Sequence, residues 1–94
     1  MTNYVIVAYD ISDNSRRFEA SERLKGMGFT RLQRSLYVAR GGASLAKEVY
    51  RALLRIIDKS RDSLFVAVVP SESFEKAFTY RLMSRVGEEK SEVL

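Results

Sequence analysis

At 94 residues the chain has room for one domain with a thin core, and its 46% hydrophobic content excludes a disordered tail. It holds no cysteine and no histidine, which excludes disulfides, thiolate nucleophiles, cysteine metal sites and the most common general base. The net charge is +4, arginine outnumbers lysine, and the first seventy residues are basic while the rest is slightly acidic. That balance suits a phosphate-bearing partner, because the planar guanidinium donates two parallel hydrogen bonds.

Tyr4–Tyr9 (YVIVAY) is short, β-branched and aromatic, and reads as a strand. Asp10–Ser15 is turn and cap chemistry, with Asp13, Asn14 or Ser15 able to start a helix that runs to about Met27. Arg17, Ala20, Leu24 and Met27 share one stripe of that helix, Phe18 lies off it, and Gly26 and Gly28 mark its end. Phe29–Arg40 reads as two short strands joined by a bend near Gln33–Ser35. After Gly41 and Gly42, Ser44 is the expected cap of a second helix to about Lys59, with an apolar face at Leu45, Val49, Leu53 and Ile56. Leu64–Val69 is a further strand, ended by Pro70. Residues 71–83 fit helix and strand in part; the expectation is a helical turn at about 72–76 and a short strand at about 77–83.

The order β-α-β-β-α-β with an additional C-terminal strand predicts an α+β, ferredoxin-like two-layer sandwich over residues 1–83, followed by a flexible C-terminal tail over 84–94. Two helices cover one face of such a sheet. The first and fourth strands are apolar on both faces, so a surface lined by Tyr4, Ile6, Ala8 and their neighbours, or by the opposite set, calls for a second copy and hence a two-fold homodimer. The apolar runs are too short to span a bilayer and residues 1–30 lack the order of a signal peptide, so the expected location is cytoplasmic, with no membrane partner.

Asp10 directly follows the first strand. It either accepts backbone N–H groups of the turn at Ser12 and Asp13 or binds a metal ion. The second reading needs another carboxylate, which a two-fold dimer supplies if the two Asp10 residues face each other. Arginines group at Arg16 and Arg17, and at Arg31, Arg34 and Arg40 on the strand pair; these five are the candidate nucleic-acid contacts. Lys47, Arg51 and Arg55 are four apart on the second helix, either an ordinary solvated face or a phosphate track. Tyr9 and Tyr37 are candidates to assist chemistry or stack on a base, against the alternative that strand aromatics are core.

The segment Tyr9-Asp10-Ile11-Ser12-Asp13, then Arg17, then Gly28 to Tyr37 (GFTRLQRSLY) resembles the CRISPR-associated protein two family, in its YDI-[ST]-D motif, its early helix arginine and its R-x-Q-x-S spacing. The resemblance implies a ferredoxin-like homodimer whose terminal strand pairs with the partner's sheet, and one Mg²⁺ or Mn²⁺ per dimer held between the two Asp10 residues. It implies a metal-dependent endonuclease acting on single-stranded RNA or duplex DNA, with Asp10, Tyr9, Arg17, Arg31 and Tyr37 as catalytic residues. It also implies a spacer-acquisition subunit that bridges the integrase, CRISPR-associated protein one. One position departs: Glu19 stands where some members carry a second helix arginine. A toxin-like messenger-RNA interferase of related fold and a nuclease-inactive DNA-binding scaffold are the alternatives.

Overall fold

In a computed structural model, which describes residues 2–83, the elements run β1 (Asn3–Asp10), α1 (Asn14–Gly26), β2 (Thr30–Gln33), β3 (Leu36–Arg40), α2 (Ala43–Leu54), β4 (Ser63–Pro70) and α3 (Ser71–Glu75). The four strands form one antiparallel sheet in the order β2-β3-β1-β4. This is the expected ferredoxin-like α+β arrangement, with β1 at the centre between β3 and β4.

The alternation of β1 divides its side chains between two layers. Val5, Val7 and Tyr9 turn toward α1 and α2 and join Ala20, Leu24, Tyr37, Val49 and Leu53 in the main core. Tyr4, Ile6 and Ala8 turn to the other face, opposite Val69, Ala67 and Phe65 of β4. That face is covered at one end and open at the other. Phe74 of α3 stacks on Tyr4 with ring centroids 4.6 Å apart, and Leu82 packs on the same small cluster with Leu32 and Val38. Tyr4 is therefore buried, whereas Phe65 remains 60% exposed.

The ends of α1 follow the sequence expectations, and several later boundaries differ. Asp13 is the cap of α1, accepting the Arg16 backbone N–H at 2.9 Å. Gly28, at φ +89°, reverses the chain after α1, and the Phe29 N–H returns to the Leu24 carbonyl at 3.0 Å. The cap of α2 is Gly42 instead of Ser44, so no side chain satisfies its first turn. This helix ends at Leu54, five residues early, where Ile56 and Ile57 tighten onto the Leu53 carbonyl. The expected strand at 77–83 does not form in the chain: the segment makes a single backbone bond to the outer edge of β2, from Met83 N–H to the Leu32 carbonyl at 2.7 Å. One bond is not a ladder, and β2 is only four residues long. The expected tail at 84–94 lies outside the described residues. Among the described residues no helix is long and apolar enough to cross a membrane.

Candidate functional site

The C-terminal end of β1, the first turns of α1 and the bend between β2 and β3 meet around a cleft of about 610 Å³. Tyr9, Asp10, Arg17, Arg31, Arg34 and Tyr37 all line it, so the five expected catalytic residues and one further arginine come together. They derive from three separate chain segments. The antiparallel register brings them to one place: Val7 pairs with Tyr37, and Tyr37 in turn with Arg31.

The floor is a row of hydroxyls. Tyr9 donates to the Tyr37 oxygen at 3.5 Å, and Tyr37 donates to Ser21 Oγ at 2.9 Å. The two rings lie nearly parallel, with centroids 5.9 Å apart. Both the core and the site readings of these tyrosines hold at once: Tyr37 is fully buried and Tyr9 is 9% exposed, yet their phenolic ends close the cleft. Burial pushes the Tyr9 phenol up, with the hydrogen bond to Tyr37 adding to the effect, while Arg31 and Arg17 oppose it. Tyr9 is therefore a neutral hydrogen-bonding group at pH 7 and not a general base.

The cations are held in place. Arg17 donates to the Ile11 carbonyl at 2.8 Å and to the Asn14 side-chain oxygen. The Arg31 Nε donates to the Arg34 carbonyl at 3.2 Å, across the β2–β3 bend. Each guanidinium keeps further N–H groups for a ligand. Three guanidinium groups facing one carboxylate make a cleft suited to a phosphodiester.

Asp10 is exposed at the mouth, and no described donor reaches its carboxylate. The turn-fixing duties that would explain a structural Asp10 are carried by other residues. Asp62 accepts the Ser12 backbone N–H at 3.1 Å, and Asp13 caps α1. Among the described residues no three acidic side chains cluster as a metal site, and Asp10 is the one carboxylate among those that line the cleft. One carboxylate is an incomplete donor set for Mg²⁺ or Mn²⁺, which favour octahedral oxygen sites. The carboxylate fits such an ion once a symmetric copy adds a second.

The other two candidate arginines lie elsewhere. Arg16 is engaged with Asp62, Nε to Oδ2 at 3.0 Å. This pair holds the Asp62 carboxyl well below the usual carboxylate range, helped by the Asp58 and Ser12 backbone N–H groups. Arg40 sits at the far end of β3, its guanidinium 5.3 Å from the centroid of the Tyr4 ring. Sequence reasoning missed Ser21, although it lies one turn after Arg17 and so had a helical signal. It also missed the role of Asp62, which no local pattern reveals. Phe18, off the helix stripe, is 68% exposed on the rim of the cleft.

The comparisons with known proteins agree with this picture. A family model described as CRISPR associated protein Cas2 matches residues 1–77. The chain is 51% identical over 75 residues to the CRISPR-associated endoribonuclease Cas2 of Aeropyrum pernix, covering 80% of this chain and 82% of that protein. It is 43% identical over 54 residues to a CRISPR-associated endonuclease Cas1/endonuclease Cas2 fusion of Thermoproteus tenax, covering 57% of this chain and 20% of the fusion. Its fold is similar to the crystal structure of Streptococcus pyogenes Cas2 at pH 6.5, with a TM-score of 0.71 at 19% identity over 83% of this chain and 99% of that one. With the family model spanning most of its length and the R-x-Q-x-S motif folded against YDI in one cleft, the chain belongs to the CRISPR-associated Cas2 family.

Proposed function

We propose that this protein is a metal-dependent endoribonuclease whose cleft works as a pair across a two-fold dimer. The observation that carries the reading is Asp10: an exposed carboxylate with no hydrogen-bond partner among the described residues, at the mouth of a cleft lined by Arg17, Arg31 and Arg34. Two copies packed through the open end of the sheet face, where Phe65 is exposed, would bring two such carboxylates together. Two unscreened carboxylates repel each other, and a divalent cation relieves this. Bound there, Mg²⁺ or Mn²⁺ would lower the pKa of water and offset charge at phosphorus. The chain's own part is to hold the phosphate: Arg17 and Arg31 bind its oxygens in fixed orientations, and Arg34 extends the cationic wall. The Tyr9–Tyr37–Ser21 hydroxyl row excludes bulk water from the floor and offers hydrogen bonds to the strand. The endoribonuclease name of the Aeropyrum pernix relative supports RNA as substrate. The test is Mn²⁺ binding followed by electron paramagnetic resonance. One ion per two chains is expected, with none in Asp10→Asn; binding unaltered by that substitution would contradict the reading.

A second role is supported by the Thermoproteus tenax fusion, whose name joins Cas1 to Cas2 in one chain. On that reading the protein associates with Cas1 during spacer acquisition and bridges integrase subunits on duplex DNA. Co-purification with a Cas1 protein, at equal affinity in wild type and Asp10→Asn, is the expected result.

A further inference from the structure

On the outer face of the helical layer, away from the cleft, α1 and α2 enclose a groove of about 420 Å³. Four cations line it: Arg23 from α1 and Lys47, Arg51 and Arg55 along α2. Glu48 is the only acidic lining residue, and among the described residues none of these four cations forms an ion pair. Like charges gathered on one wall repel each other, so this arrangement costs stability unless an anion joins it.

The four-residue spacing places Lys47, Arg51 and the C-cap residue Arg55 in a row that winds gradually around α2, about 6 Å between neighbours. The row starts near Ser44, in the first turn of α2, where the Gly42 cap leaves the turn without a side-chain partner. Backbone N–H groups and a hydroxyl at a helix start attract anions, and here they continue a cationic row. From Ser44 to Arg55 the row spans roughly 17 Å, enough for its three cations to meet successive phosphates of one strand. The apolar floor is small, chiefly Met27 and Ala52. An acidic amphipathic peptide would need a wider apolar stripe to anchor it, whereas a phosphate backbone needs only the charges.

We propose that the groove between α1 and α2 is a second nucleic-acid site, which takes the phosphodiester backbone of one strand along α2. This site does not depend on the cleft or on its metal. It reads no base, because it offers charge and one hydroxyl but no exposed aromatic.

The test compares wild type with Lys47→Gln/Arg51→Gln/Arg55→Gln, using a fluorescent duplex DNA whose affinity is followed against salt. Glutamine keeps helix propensity, and the buried Val49 and Leu53 stay untouched, so circular dichroism and a thermal melt will show an intact fold. The slope of log K against log salt should fall by roughly 2.7, about 0.9 for each lost phosphate contact. Arg23→Gln, on the other helix, should remove about 0.9 more, which a row confined to α2 would not predict. An unchanged slope overturns the proposal. So does a triple variant that loses binding of polyaspartate but keeps its full DNA slope, since the groove then serves an acidic protein. A parallel pair, Arg31→Gln/Arg34→Gln, tests the cleft separately, so failure of one site does not hide the other.

Discussion

The Ser12 backbone N–H donates to Asp62 Oδ1 at 3.1 Å, across fifty residues of sequence. The same carboxylate receives the Arg16 guanidinium and the Asp58 N–H, which ties the start of α1 to the loop before β4. The turn after β1 is thus held from outside, and Asp10 is left with an open carboxylate. The hydrogen-bonded Asp62 and Asp10, which has no such partner among the described residues, are two halves of one arrangement.

Asp62→Asn should lower stability at neutral pH, because Asn keeps the shape but loses the charge that Arg16 faces. The Asp62 carboxyl is held below its ordinary value in the fold, so its contribution is present above the unfolded value near 3.9 and is lost as pH falls further. Thermal melts should show wild type well above Asp62→Asn at pH 7, with the gap narrowing below about pH 4. A gap independent of pH would mean that the charge of Asp62 does not matter.

Tyr37→Phe removes the hydroxyl that links Tyr9 to Ser21. The expected cost is about 0.5–1.5 kcal/mol by denaturant unfolding. The Tyr9 phenol should also titrate lower, though still above its ordinary value, since burial, the larger cause, remains. Because the folded phenol holds its proton after the unfolded one ionises, stability should decline as pH rises above about 10. Ultraviolet titration of the phenols at alkaline pH checks this, and an unmoved titration would remove Tyr37 as a partner of Tyr9.

Much of this was legible in the sequence, and for identifiable reasons. Strands such as Tyr4–Tyr9 and Leu64–Val69 announce themselves through β-branched runs, and their order leaves few topologies. Asp10, Arg17, Arg31 and Tyr37 were grouped through the family resemblance, and the fold brings all four to one cleft. Arg16 was grouped with Arg17 because neighbours in sequence share a charge, but successive helix residues point about 100° apart, and Arg16 turned to Asp62. Asp62 itself gave no local sign, since its partners are Ser12 and Arg16 from the opposite end of the chain. The ambiguity over 71–83 reflects a segment whose contacts are few: Phe74 and Leu82 pack, while Phe78 and Tyr80 are exposed.

If Arg31 holds phosphate as proposed, Arg31→Gln should weaken binding of single-stranded RNA without altering sequence preference. The salt slope should fall by about 0.7 for one lost contact on a single strand. Filter binding at a series of salt concentrations measures it, and an unchanged slope would place Arg31 outside the RNA path.

Phe65→Glu should prevent the proposed dimer, because it sets a charge on the apolar face left open beside Ala8. Sedimentation of wild type is expected to give twice the chain mass, and of the variant the mass of a single chain. A wild-type monomer at micromolar concentration would leave Asp10 without its symmetric partner.

The most direct test is cleavage of single-stranded RNA by wild type and Asp10→Asn, each with Mg²⁺, with Mn²⁺ and with a chelator. Wild type should cut only when a divalent ion is present. Asp10→Asn should lose at least about a hundredfold in rate, roughly 2.7 kcal/mol of barrier, while it still dimerises and binds RNA. Equal cleavage by the two proteins, or cleavage that survives the chelator, would contradict the account.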